Sequence, residues 1–283
     1  MLAGAVGIVA WLFLAPASAP RTVVLPTPRF AVTMLDGPGI MRHRGAFLTV
    51  FRMAENPGIM VLDFASLHEQ GQMLNRIAAM VEKNGMPHDR VLDDAELDGA
   101  IRGKGLEPDT FYFGHDYGGA SLATFFAAAD RQHIALTPEE GSLRALLRQE
   151  HPQALISLPQ PDPAHQLDAS MREAIYKHER SHGEFFSNPA YAAFAVQFWN
   201  GVLTAQERSG FRHYLASEDY DPAIEELMVN ETQAYLMHTR DSRFFDPAAA
   251  GLTPASLDRL RGIFLVIMPP NWLRDCFAPA ALR

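Results

Sequence analysis

The stretch His178-Glu179-Arg180-Ser181-His182 decides how this chain is read. Residues four apart on an α-helix lie on one face, about 40° apart in projection, so both imidazoles can meet one ion. Neutral imidazoles bind Zn²⁺ and leave its Lewis acidity intact, and Glu179 sits beside the first of them. That set supports hydrolysis: the metal brings the pKa of its water towards neutrality, and a carboxylate takes the proton as the water attacks a carbonyl. The flanks turn the stripe inward, because Ile175 lies one turn before His178 and Phe185 and Phe186 follow His182. Buried histidines need partners, and one metal satisfies two together. The bland competitor is a surface helix that happens to carry two histidines.

Working outward, Ser170 with Glu173 is the expected start of this helix, and no proline interrupts it before Pro189. The metzincin extension HExxHxxGxxH is excluded, since position 185 is Phe185 and position 188 is Asn188. A third ligand is then sought on a following helix, where Asn230-Glu231-Thr232-Gln233-Ala234-Tyr235 supplies an NExxAY segment. With an HExxH helix and a downstream Glu in this context, residues 170–240 resemble the gluzincin zinc metallopeptidases. The resemblance implies that His178, His182 and Glu231 hold one Zn²⁺ per chain, that Glu179 is the general base, and that the substrate is a peptide or protein. Glu226 is the alternative third ligand, with Glu225, His213 and His238 behind it. Ala234 favours Glu231 by letting a neighbouring helix approach, whereas Glu225 and Glu226 suit a first turn, where the helix dipole favours carboxylates. The oxyanion of a tetrahedral intermediate needs a donor, and Tyr235 and His213 are the candidates carried forward; Tyr191, Tyr214 and Tyr220 are conceivable. Asn230 could orient a ligand.

The rest of the chain frames this centre. Residues 1–19 read as a signal peptide or anchor: Leu2 to Leu14 are apolar and uncharged, and Ala17-Ser18-Ala19 fits a cleavage site, although no Lys or Arg precedes the run. The protein is therefore expected to be exported, periplasmic or secreted, with membrane contact only if that segment stays uncleaved. Residues 20–150 read as a mixed α/β region with short strands at Thr22–Leu25, Phe30–Leu35, Ala46–Met53 and Ile59–Phe64. A helix follows from Ser66 towards a stop at Gly85, and another starts at Thr137-Pro138. Residues 151–167, with four prolines, read as a linker. Residues 168–283 read as the helical zinc-hydrolase region, with further helices opening at Asn188-Pro189, Thr204, Asp221-Pro222 and Thr253-Pro254. The expected fold is α+β, mainly α, with a zincin-like helical catalytic half.

Composition closes off other classes. With 24 Lys+Arg against 33 Asp+Glu the net charge is −9, so a nucleic-acid partner is not expected. The single cysteine, Cys276, excludes an intramolecular disulfide and reads as structural. The segment Phe111 to Tyr117, with its His115-Asp116 pair, reads as core aromatics with a capping Asp, and Gly118-Gly119 as a turn. Two functional alternatives stay beside the exported metallopeptidase. One is a non-catalytic exported protein with a structural zinc, whose fourth ligand would be His213, Glu226 or His238. The other, a di-iron carboxylate protein, requires a second ExxH motif that the chain lacks.

Overall fold

A five-stranded mixed sheet forms the wall against which the HExxH helix is laid. The computed structural model describes residues 30–277; the leader expected at 1–19 and the strand expected at Thr22–Leu25 lie outside the described residues. In chain order the elements are β1 (Val32–Leu35), α1 (Gly37–Arg42), β2 (Thr49–Met53), β3 (Ile59–Phe64), α2 (Leu67–Val81), α3 (Asp94–Gly103) and β4 (His115–Gly118). They continue with α4 (Gly119–Gln132), α5 (Pro138–Glu150), β5 (Ala154–Pro159), α6 (Ala169–Ser187), α7 (Pro189–Gly201) and α8 (Ala205–Ser217). Last come α9 (Glu225–Gln233), α10 (Pro254–Ile267) and α11 (Trp272–Asp275). The fold is α+β and mainly α. Among the described residues no helix is long and apolar enough to cross a membrane.

The strand order is β1-β2-β3-β5-β4, with β1/β2 and β3/β5 parallel and β2/β3 and β4/β5 antiparallel. Two of these strands correct the sequence reading. The stretch 151–167 is not a linker: Ala154–Pro159 is a fully buried strand inside the sheet, paired with β3 from Ile59↔Ala154 to Phe64↔Pro159. Its prolines sit at the ends, at Pro152, Pro159, Pro161 and Pro163, and leave the apolar run between them free to pair. His115–Gly118 is likewise the strand β4, so Asp116 caps nothing.

Helix starts follow side-chain chemistry. Thr137, Thr204 and Thr253 each close a capping box at the expected place. The start of α6 differs: Asp168, ahead of Ser170, is the cap, accepting from the Met171 N–H at 2.8 Å. Asp221 does not open α9; it accepts from Ala223 N in a turn, and the helix begins at Glu225 without a side-chain cap. The helix from Ser66 ends at Val81, before Gly85, which takes a left-handed φ of 72° in the following loop. After Gln233 the helical path widens into one π turn, Ala234–His238.

One sheet face carries Met60, Leu62, Phe64 and Leu155 against α2, α4 and α5. The other carries Ile59, Val61, Ile156 and Leu158 against Ile175 and Tyr176 of α6. Gly183 lets α6 lie close to β3, since a Cβ there would meet Ile59 side-chain carbons at 2.9 Å. A buried ion pair fixes the same helix near its start. Arg172 donates to Asp63 of β3 at 2.8 Å, to the Pro159 carbonyl at 2.7 Å and to the Ile40 carbonyl at 3.0 Å. His43 Nδ1 meets the other Asp63 oxygen at 2.6 Å. Neither Arg172 nor Asp63 is accessible to solvent. Removing one partner strands a buried charge, which costs about 3–5 kcal/mol, whereas replacing both with apolar groups is often nearly neutral. Arg172→Leu is therefore expected to lower unfolding free energy by about that amount in urea titrations. The double variant Asp63→Leu/Arg172→Leu is expected to lose less than the single one.

Candidate metal centre

Helix α6 presents His178 and His182 one turn apart, with their Nε2 atoms 3.0 Å from each other. Helix α9 packs across it and brings Glu231 Oε2 to 3.4 Å from His178 Nε2 and 3.7 Å from His182 Nε2. Three ligands bound tetrahedrally about 2.0–2.1 Å from a zinc ion stand about 3.3–3.4 Å apart. The three observed separations bracket that spacing, and two imidazoles with one carboxylate are a donor set zinc accepts. Both oxygens of Glu231 are buried and neither has a hydrogen-bond partner. An unpartnered buried carboxylate is costly, and a divalent cation removes the cost. The residues fit a zinc ion.

Each candidate donor side chain is held from behind. The Thr239 hydroxyl donates to the Ala234 carbonyl at 3.2 Å, so at 2.8 Å it accepts from Nδ1–H of His178. That fixes the tautomer and turns the Nε2 lone pair towards the other donors. Burial holds the His178 imidazole down at about 4, so the ring is neutral at neutral pH, as a ligand must be. His182 turns Nδ1 towards Asp116 Oδ1 at 3.7 Å, and Asp116 accepts from Asn230 Nδ2 at 3.3 Å. Burial raises the Asp116 carboxyl to about 6, with the neighbouring His182 acting against the rise. On α9, the residues flanking Glu231 are tied to α6: Gln233 donates to Ser181 at 3.2 Å and to Asn230 at 3.3 Å, and accepts from Tyr191 OH at 2.7 Å. Asn230 thus reaches Asp116, behind His182, rather than a donor of the trio directly.

Glu179 stands next to the trio without joining it. Its carboxylate lies over Gly114, where a Cβ would come within 2.1 Å of Oε1, so only glycine leaves room. Burial, reinforced by Asp116, Glu231 and Glu82, raises its pKa well above the carboxylate range. Asp116, Glu179 and His182 form a second trio whose donor atoms lie within 4.8 Å, sharing His182 with the first. His178 and Glu179 both face a cavity of about 390 Å³, lined also by Lys83, Tyr112, Tyr220 and Tyr235. The Tyr235 ring meets His178 edge-on, with centroids 4.7 Å apart.

The structure separates the other residues singled out from sequence. Glu226 is exposed on the far side of α9, in a groove with Phe186 and Val196, and does not reach the centre. It sits in the first turn of the helix, outside the donor trio. Glu225 accepts from Trp199 Nε1 at 2.7 Å and pairs with Arg212. His213 is exposed on α8, away from the cavity, and serves neither as ligand nor as oxyanion donor. His238 is buried with its ring 5.2 Å from Phe277, outside the trio. Tyr191 and Tyr214 spend their hydroxyls on Gln233 and on the Phe244 carbonyl. Among the described residues no fourth His, Cys, Asp or Glu joins the three donors.

No protein-family model, curated protein or solved structure matches this chain, so the centre is read from its own geometry. Asp116, Gly114 and Thr239 are the residues that sequence reasoning missed. Carboxylates behind a metal-bound imidazole commonly contribute about 10–100-fold in metal affinity. Asp116→Asn is accordingly expected to weaken zinc binding by about that factor in competition with a chromogenic chelator, while the far-ultraviolet circular dichroism stays unchanged.

Proposed function

We propose that this chain is an exported zinc-dependent metallopeptidase. The observation that carries the reading is a three-donor centre at zinc spacing, with a separate carboxylate, Glu179, beside it on the wall of an open cavity. A bound zinc ion supplies Lewis acidity, which polarises a carbonyl and makes a water acidic. The remaining work falls to side chains. Glu179, whose carboxylate lies over Gly114, would take a proton from the attacking water and pass it to the leaving nitrogen. Tyr235 and Tyr220 both line the cavity and are the phenols placed to donate to an oxyanion. Rings of Phe113, Tyr112 and Phe244 give the cavity an apolar lining suited to peptide side chains.

A purely structural zinc is the second reading. It requires a fourth protein ligand, and the residues nominated for that place, His213, Glu226 and His238, stand outside the trio. The di-iron alternative finds no support in the donor set either, because a bundle of that kind needs two ExxH motifs.

Glu179→Gln is expected to retain zinc and lose about 10²–10⁴-fold in turnover of a fluorogenic peptide library. Gly114→Ala, which displaces the same carboxylate, is expected to reproduce that phenotype. Undiminished hydrolysis in both variants contradicts the mechanism.

A further inference from the structure

One group in the cavity has no part in hydrolysis as described. Lys83 follows α2, and its side chain is only 2 % exposed. The ammonium lies 3.4 Å from the centre of the Tyr112 ring, 4.4 Å from Phe111 and 5.9 Å from Tyr220. Its carboxylate partner, Asp219, stands at 3.7 Å, beyond hydrogen-bond length. That carboxylate already pairs with Lys104 at 2.5 Å, so two lysines share one acid. The adjacent Glu82 carboxyl is driven above its usual range by burial and by Asp116, with Lys83 acting against the rise. Lys83 itself, lowered to about 8 by burial, stays protonated there. Arg243, the other cation lining the cavity, is held by Asp168, Asp241 and Ser170. Glu218 lies at the solvent side. Lys83 is thus a buried cation ringed by aromatic faces, without a direct hydrogen-bonded carboxylate, in the same cavity as His178 and Glu179.

We propose that Lys83 anchors the free α-carboxylate of the substrate peptide, so that the enzyme trims residues from carboxy termini. The inference rests on the peptidase reading above. The Tyr220 ring stands 6.5 Å from Tyr235, and Tyr235 stands 4.7 Å from His178, so a chain of ring contacts joins the anchor to the histidines. An extended peptide spans about 3.3–3.6 Å per residue, so the steps of 5.9, 6.5 and 4.7 Å from Lys83 through Tyr220 and Tyr235 to His178 keep the cleaved bond within about five residues of the free end. The reaction consumes one water: hydroxyl adds to the carbonyl carbon, the C–N bond breaks, and the released fragment leaves as an amine carrying the substrate's original carboxylate.

The test compares three peptides of one sequence on the zinc-loaded chain: a free carboxy terminus, an amidated terminus, and an amidated terminus with Glu as the last residue. Products are sized by mass spectrometry. The free acid is expected to show kcat/KM at least about 10-fold above the plain amide, mostly through KM, with a short carboxy-terminal fragment of at most about five residues released. Lys83→Met is expected to bring the ratio near one at unchanged zinc content, and Lys83→Arg to keep part of it. Equal cleavage of acid and amide by wild type overturns the anchor and leaves the peptidase standing. An amidated Glu peptide cleaved as well as the free acid also overturns it, because a side chain is then being read. Cleavage of none of the three by a zinc-bearing chain overturns the peptidase reading and the anchor together.

Discussion

A carboxylate buried on one helix faces two imidazoles on another, and burial pushes its pKa up despite His182, Tyr220 and Lys83 nearby. Glu231 has no hydrogen-bond partner, and Glu82, Asp116 and Glu179 lie close enough to raise one another's proton affinity. Lys83 is the lysine set among them, and its charge is itself weakened by burial. Four carboxyl groups gathered out of water need protons or cations, and a divalent ion between His178, His182 and Glu231 answers that need where the donors already converge. The packing around them makes sense as the means of holding this charge in place.

The fold supplies three constraints to that end. The sheet gives α6 a flat apolar bed, and Gly183 with the Arg172–Asp63 pair fixes how closely and at what depth the helix lies. Strand β4 then passes beside α6, delivering Asp116 to the back of His182, and Gly114 just ahead of it stands beside Glu179. Finally, the π turn after α9 brings Thr239 behind His178, while Asn230 and Gln233 fasten α9 on either side of the ligand. A centre built from α6, α9 and β4 is more rigid than one carried on loops.

What could be read from the sequence was local. The four-residue histidine spacing is a property of one helix, and the caps at Thr137, Thr204 and Thr253 depend on side chains three residues away. Glu231 was legible because its surroundings, Asn230 and Ala234, are those of a helix packed against another. The strand β5 was hidden by its flanking prolines, although Ala154 to Leu158 is the apolar run of a strand buried on both faces. Asp116 was hidden for a different reason. A four-residue strand carrying His, Asp and Gly has no alternation to betray it, and its role comes from pairing with β5, a contact set by register across the 39 residues between Asp116 and its partner Ile156. Rejecting His213 and Glu226 likewise required knowing which helix faces turn inward. The role of Gly114 lies in a space between two elements distant in sequence, which no spacing rule encodes.

The claim on which everything rests is that His178, His182 and Glu231 together hold one zinc ion. Native mass spectrometry of the reconstituted chain measures this directly, with wild type, Glu231→Ala and Glu226→Ala compared. The geometry predicts one zinc per chain in wild type and in Glu226→Ala, and at least about 100-fold weaker retention in Glu231→Ala. Full retention in Glu231→Ala, or a folded wild-type chain that takes up no zinc, contradicts it.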